Sequence, residues 1–412
     1  MGRSGQHAVT AALTAAAVAG AVLVASTAFA TPPLTSGFGA PSLGATATLG
    51  TSATSGAAWG SSATEAAGSR TAMLAVLAMA AAGAALIVQN KGGGHGELGY
   101  HLALKLAKDK GLKVTMINDS AAKKTKPPFD SYADLEAAGV EVKWAALAEA
   151  GALASAMEGV GPCDYVFDNQ NVCTKDVQKA VAAWSPKAYA YVSSGGMYKP
   201  VKAGPLLETG DVKEDNEQLS LEKSAADAGL AWSAFRPQYI YGPKTNKPEY
   251  LDWFLDRITR GAPILVPGDG SGFTTLTNAE DAASMLASVV GKEAEAKGQV
   301  FNCASDVLVS HIEVVDLCAK AAGKDAAEVR KTVVYYDPAA LKGKELPKGG
   351  KFPFRETSFG VSADKAKSVL GWTPTHKLEE DLVLYVADYK RLGKDQGDIE
   401  RSWDEAVLAT MK

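Results

Sequence analysis

The run AALIVQN (residues 84–90) passes straight into KGGGHGELGY (Lys91–Tyr100), where five glycines fall within eight residues. Gly93, Gly96 and Gly99 recur every third residue. The stretch ELGYHLALKLAKDKG sets Leu98, Leu102 and Leu106 four residues apart. That spacing predicts a strand, a glycine turn and an amphipathic helix ended by Gly111. LKVTMIND follows as a second strand, so the unit is βαβ within about thirty residues, the arrangement that sets a pyrophosphate on a helix N-terminus. Glycine lets a backbone approach such a ligand, and it equally lets a helix pack closely on a strand. Asp119 lies twenty residues after Gly99, where a carboxylate meets a ribose hydroxyl. The register leaves open whether Asn118 or Asp119 points at the site. His95, inside the loop, is either a phosphate contact or a packed or solvated ring.

Further on, the apolar segments DYVFDN, AYAYVSS and AWSAFRP alternate with helical KDVQKAVAAW and LSLEKSAADAG. Strand-then-helix order repeated in this way predicts a parallel sheet with helices on both faces. Ligands then gather at the carboxyl ends of the strands, where Asp168, Asn169, Ser193 and Ser194 fall. Trp253 and Phe254 share helical spacing with Leu251, Leu255 and Ile258 and are expected in a core.

The first ninety residues differ in kind: Arg3, Glu65 and Arg70 are their only charged residues. Arg3 and His7, the run AVTAALTAAAVAGAVLVA and the small residues of STAFA form a secretory signal. From Thr31 to Arg70 the Ser, Thr, Ala and Gly content resembles a plastid transit peptide. The expectation is a bipartite leader over residues 1–83, addressing a plastid with extra bounding membranes; plain secretion or a disordered tail is the alternative. AMLAVLAMAAAGAALIV (72–88) approaches bilayer length, but its last third reads as the first strand, so no stable membrane insertion is expected.

The remaining body is weakly acidic, which argues against a broad basic face and makes any nucleic-acid contact local. Cys163, Cys173, Cys303 and Cys318 form no CxxC pair, and the five histidines show no ligand spacing. Buried free thiols and no structural metal are expected.

GGGHGELG, VSSGGMY, FRPQYIYGP, GAPILVPGDGSG, FNCASD and KAKSVLGWTPTHKLEEDL, in this order, resemble the extended, atypical short-chain dehydrogenase/reductase superfamily. The fold class implied is α/β, a Rossmann-type doubly wound parallel sheet with a smaller C-terminal α/β domain. The boundaries expected are 84–242 for an NAD(P)-binding-like domain and 243–412 for the C-terminal one with its return segment to the sheet. Catalytic members of that superfamily carry a Tyr and, four residues later, a Lys that lowers its pKa. Family spacing from FRPQYIYGP places these at Glu214 and Gln218. Tyr198 and Lys202 have the spacing, but Pro200 between them makes a turn rather than a helix face. Without that pair Ser193 and Ser194 have no proton-transfer partner. Arg236 is expected to serve a structural ion pair.

A narrower resemblance accounts for the loss. GGGHGELGYHLALKLA, KKTKPPFDSYADLEAAGVEVKW, DYVFDNQN, SSGGMYKP, EYLDWFLDRITRGAPILVPG and YYDPAALKGKELPKGGKFPFRE are similar to the chloroplast stem-loop-binding proteins. What that resemblance implies is binding to stem-loops of plastid messenger and ribosomal RNA, in the stroma, with ribosomes and a related or identical chain as partners. It further implies Mg²⁺-dependent endonuclease activity. Asp164 and Asp168 are then candidate metal ligands, and Asp168, Asn169 and Asp176 candidate catalytic groups, Asn169 or Asn171 orienting water. Turn and cap formation is the bland reading for each acid. Lys123, Lys124 and Lys126, and Lys342, Lys344, Lys348 and Lys351, are candidate RNA contacts, interleaved with Phe129, Phe352 and Phe354. Solvated loops with aromatic anchors are the alternative. Three readings follow: an RNA-binding protein or endoribonuclease, an NAD(P)- or nucleotide-sugar-dependent enzyme, and a noncatalytic scaffold of plastid ribosome or transcription complexes.

Overall fold

A computed structural model of the chain describes residues 83–89, 96–201, 203–305 and 307–411. The leader up to residue 82, Gly93, His95 and Lys202 lie outside the described residues. Seven strands build one sheet: β1 (Ala84–Gln89), β2 (Lys113–Asp119), β3 (Glu141–Ala145), β4 (Tyr165–Asn169), β5 (Ala188–Val192), β6 (Trp232–Pro237) and β7 (Gln299–Cys303). They are parallel throughout, in the order β7-β6-β5-β4-β1-β2-β3. Because β1 lies between β2 and β4, the crossovers run to opposite edges and lay helices on both faces. β1 is consequently buried on both sides, which is why AALIV is apolar without alternation.

Helix α1 (Gly96–Lys108) packs Leu98, Leu102 and Leu106 into one core with Ala85, Ile87, Val114 and Met116. On the other face α2 (Thr174–Ala182) and α3 (Glu217–Asp227) bring Val177, Val181, Leu221 and Ala225 to Leu86, Val88, Val166 and Tyr189. Burying each leucine contributes roughly 1.5–3 kcal/mol before the cost of ordering it. Further along, α4 (Glu249–Arg260), α5 (Ala279–Ala287), α6 (His311–Ala321), α7 (Leu378–Arg391) and α8 (Ser402–Thr410) follow. α5 returns to the first core. Leu251, Trp253, Phe254, Leu255 and Ile258 of α4 form a second core with Val314, Val315, Phe352, Phe354 and Leu382, so Trp253 and Phe254 are core residues as expected. The four cysteines are buried and free. Among the described residues no helix is long and apolar enough to cross a membrane.

Two of the loop's glycines have packing reasons of their own. A Cβ on Gly99 would stand 1.6 Å from Oε1 of Gln89, and one on Gly96 would stand 3.0 Å from Cζ of Phe129. The third glycine thus makes room for a buried glutamine at the end of β1. Gly99→Ala is expected to cost about 2 kcal/mol in urea unfolding, as overpacking does. The double variant with Gln89→Ala should cost less than the sum of the two single ones. Strict additivity would show that the amide is not what the new methyl meets.

Candidate functional site

The parallel register places three side-chain amides at the carboxyl ends of adjacent central strands. Gln89 stands opposite Asn118 of β2 and Asn169 of β4. Gln89 Nε2 donates to Asn118 Oδ1 at 3.0 Å and to the Tyr132 hydroxyl at 2.8 Å, while Asn169 Nδ2 donates to Gln89 Oε1 at 2.9 Å. All four side chains are buried, and Gln89 lies directly against Gly99 of α1. Register thereby answers which residue of β2 faces which way. Asn118 enters this network, and Asp119 accepts from Ala121 N at 2.9 Å at the turn that ends the strand.

Asp168, at the end of β4, is wholly buried. Its Oδ2 accepts from the Tyr189 hydroxyl at 2.7 Å and its Oδ1 from Gln170 Nε2 at 2.8 Å. Burial pushes its carboxyl up to about 7, against the opposing effect of those bonds. Asp164 begins the segment entering β4, at the opposite edge of the sheet. It accepts from Ala84 N at 3.0 Å and pairs with Lys187 at 3.0 Å, the Lys187 bond foremost in holding its carboxyl below the usual range. Two carboxylates at opposite ends of one strand share no ion, which corrects the expectation of Asp164 and Asp168 as joint metal ligands. Asn169 has its amide committed to Gln89, and Asp176 sits exposed in the first turn of α2, where an acid complements the helix dipole. Burial, and then the charges of Asp168, Asp176 and Asp119, push the Cys173 thiol up to about 12, leaving it inert. Among the described residues no group of three or more His, Cys, Asp or Glu side chains is placed to hold a metal.

The serine of β5's carboxyl end is likewise occupied. Ser193 Oγ donates to Glu222 Oε1 at 2.6 Å, and Arg236 clasps both carboxylate oxygens of Glu222 at 2.9 and 2.7 Å. Arg236 is the structural ion-pair residue its position in the strand implies. Its Nη1 also donates at 2.9 Å to the Tyr198 hydroxyl, which donates to Asn302 Oδ1 at 2.8 Å. Glu214 lies exposed in the turn before α3, and Gln218 lies in its first turn. Neither is a tyrosine or a lysine. A dinucleotide is implied by the fold; Asp119 at the carboxyl end of β2, with Gly96 and Gly99 at the start of α1, are the described residues that would hold its adenosine end.

Sequence reasoning assigns Arg355 no role. Its guanidinium donates to the carbonyls of Tyr198 (3.0 Å) and Gly196 (2.6 Å) and lies 3.6 Å from the Phe359 ring, with no ion pair among the described residues. Burial lowers its pKa. Only its place directly after the aromatics of KFPFRE hints at such a setting.

The two lysine groups are on the surface. Lys123, Lys124 and Lys126 are exposed in the loop after β2, and Phe129 behind them is buried. Lys342, Lys344, Lys348 and Lys351 line one concavity of about 530 Å³ together with Glu356 and Trp403. Among the described residues only Lys351 of these four has an acid partner, Glu356 at 3.6 Å. Phe352 and Phe354 face inward, stacked among Trp253, Phe254 and His311. The three phenylalanines are core anchors, which corrects their expected role as stacking partners for bases. The concavity is held from beneath. Arg257, buried and paired with Asp404 of α8 at 2.8 Å, donates with Trp253 to the Gly350 carbonyl at 2.9 and 2.7 Å.

The raised Asp168 pKa has a sign that can be tested. A folded carboxyl titrating near 7, against an ordinary value of 3.8, binds its proton more tightly than the unfolded chain does between those values. Its contribution to stability is complete below about pH 4 and is lost as pH rises toward 7, on the order of 4 kcal/mol. Asp168→Asn lacks the titration, so its stability relative to wild type should rise over that window in urea melts. Equal pH slopes would mean that the carboxyl titrates normally.

Comparison with known proteins follows the same lines. The chain is 33% identical over 254 residues to the chloroplast stem-loop binding protein of 41 kDa b of Arabidopsis thaliana. That match takes in 60% of this chain and 64% of the relative's length. Among solved structures, a dTDP-glucose 4,6-dehydratase from Bacillus anthracis in complex with NAD superposes with a TM-score of 0.58 at 15% identity, covering 76% of this chain and 98% of that one. A putative epimerase from Burkholderia cenocepacia gives 0.57 at 18% identity, covering 75% and 98%. At such identities these likenesses show the fold alone. The model of the NAD dependent epimerase/dehydratase family matches residues 92–304, more than half of the chain, and the chain belongs to that family.

Proposed function

We propose that this chain is a plastid RNA-binding protein that has kept a dehydrogenase fold and lost its proton-transfer pair. One observation carries the reading: Lys342, Lys344, Lys348 and Lys351 converge on one concavity with a single carboxylate in its wall. Cations without acid partners are available to phosphates, and their release of counterions makes binding strongly salt-dependent. The similarity to a chloroplast stem-loop binding protein supports both the ligand and the compartment. The exposed Glu214 and the Gln218 beside it weigh against the epimerase or dehydratase reading. The reading stops at binding: Asp168 has both oxygens bonded within the fold, and no metal-assisted cleavage is assigned to it. A nucleotide can still be held at the glycine segment as a ligand rather than a reactant, with 84–242 as the nucleotide-binding part and 243–412 as the part bearing the lysine concavity.

Two measurements check this. Fluorescence anisotropy of a labelled stem-loop RNA with the full chain should show affinity falling steeply with salt. Lys348→Ala with Lys351→Ala should lower the salt slope by about 1 for each phosphate that no longer meets a lysine. Absence of binding, or binding indifferent to salt, would sink the proposal. Asp404→Ala, which strands Arg257 in the core, should destabilise the chain by about 3–5 kcal/mol in urea melts. A loss under about 1 kcal/mol would show that the pair does not organise this region.

A further inference from the structure

With Phe129, Phe352 and Phe354 in the core, the lysine loops lose the rings that would meet unpaired bases. Another ring stands in the right place. Trp144, the penultimate residue of β3, is half-buried, whereas the remaining aromatics around it are packed away. Tyr132 supports it at 5.5 Å and an interplanar angle of 33°, and Phe129 at 6.4 Å edge-on. Lys124 Nζ lies over the ring, 4.1 Å from its centroid. β3 is the edge strand of the sheet, and Trp144 pairs in register with Asn118, so the ring lies at the same carboxyl edge as the amide network. Lys123 and Lys126 flank Lys124 in an exposed loop, and none of the three forms an ion pair among the described residues.

We propose that Trp144 is the platform on which an unpaired nucleobase stacks, with Lys123, Lys124 and Lys126 holding the phosphate attached to it. The physical case has three parts. An indole supported from behind presents a rigid π-face and spends little conformational entropy on binding. The lysine now over that face marks it as open to a cation, an exposed contact that contributes only about 0.5–1 kcal/mol and yields readily to a stacked base. Base–aromatic stacking contributes about 1–3 kcal/mol per base, so a displaced lysine that then meets a phosphate leaves a net gain. The nucleotide has two possible sources, a single-stranded stretch of RNA and a free nucleotide or dinucleotide. The proposal rests on the RNA reading only for the first of these.

The test uses the full chain and two probes, a short unstructured oligoadenylate and free NAD with AMP beside it. Trp144→Ala should weaken oligoadenylate binding roughly tenfold, and Trp144→Phe, which keeps a π-face, by no more than about threefold. Lys124→Met should lower the salt dependence while leaving the stacking difference between Trp144→Phe and Trp144→Ala intact. If only NAD or AMP loses affinity in Trp144→Ala, the platform is real and its nucleotide is small. If neither probe responds to Trp144→Ala, or the wild-type chain binds neither, the proposal is overturned. The RNA reading is judged separately, by stem-loop binding and the lysine salt slope. Should Trp144→Ala not fold, ultraviolet crosslinking of the wild-type chain to oligoadenylate decides instead. A crosslink on the peptide carrying Trp144 supports the platform, and crosslinks confined to other peptides overturn it.

Discussion

The buried pair of Arg236 and Glu222 is the constraint on which the carboxyl edge of the sheet depends. Both side chains are almost fully removed from water, with Nη2 and Oε2 2.7 Å apart. Such a pair costs several kcal/mol per ion to desolvate and is tolerated only when the remaining donors and acceptors are satisfied. Here they are. Ser193 completes the carboxylate, and Tyr198 takes the third guanidinium nitrogen and passes the chain on to Asn302 of β7. One network thereby ties β5, α3, β6 and β7 together and fixes the loop from Ser193 to Tyr198, whose carbonyls in turn seat Arg355.

That network also engages the groups that the superfamily's proton-transfer chemistry would use. A catalytic serine needs a hydroxyl that can turn toward a substrate and a tyrosine, and Ser193 instead spends its proton on Glu222. Tyr198 is drawn into the same network at its hydroxyl, and burial, foremost among its influences, pushes that hydroxyl up to about 12. The Tyr198 hydroxyl is thereby held away from neutral pH, where a general acid or base works best. The residues around Ser193 are joined by these bonds to the network that holds the sheet's carboxyl edge.

Much of the fold is readable in the residues because it rests on patterns local to each element. The continuous apolar run of β1, the four-residue leucine spacing of α1 and the alternation of strand with helix predict their elements directly, and the structure contains these elements. The site is less legible, because burial belongs to tertiary structure. KPPF and KGKELPKGGKFPFR look alike as basic, aromatic loops, yet their phenylalanines turn inward while the lysines stay out. Asp164 and Asp168 are four residues apart in sequence, and only the extended strand sends them to opposite edges. Trp144 escapes sequence reasoning because a tryptophan within a strand reads as core, and its partial exposure follows from β3 being the edge strand.

The division of labour between buried and exposed charge bears on how a chain with excess acid can hold an anion at all. Buried acidic side chains are bonded internally: Asp168 to Tyr189 and Gln170, Glu222 to Arg236, Asp404 to Arg257. Their fields are largely met within the protein. Among the described residues the lysines of the two loops lack such partners, apart from Lys351. In physiological salt an exposed charge is felt over a Debye length of about 8 Å, so a polyanion at the concavity senses those lysines far more than the acids elsewhere on the surface. Net charge therefore says little about binding at such a site, whereas local pairing says a great deal. Where cations lack acid partners, a phosphate backbone can serve as their partner, and on the proposed reading such a contact is confined to the loops instead of spreading over a basic face.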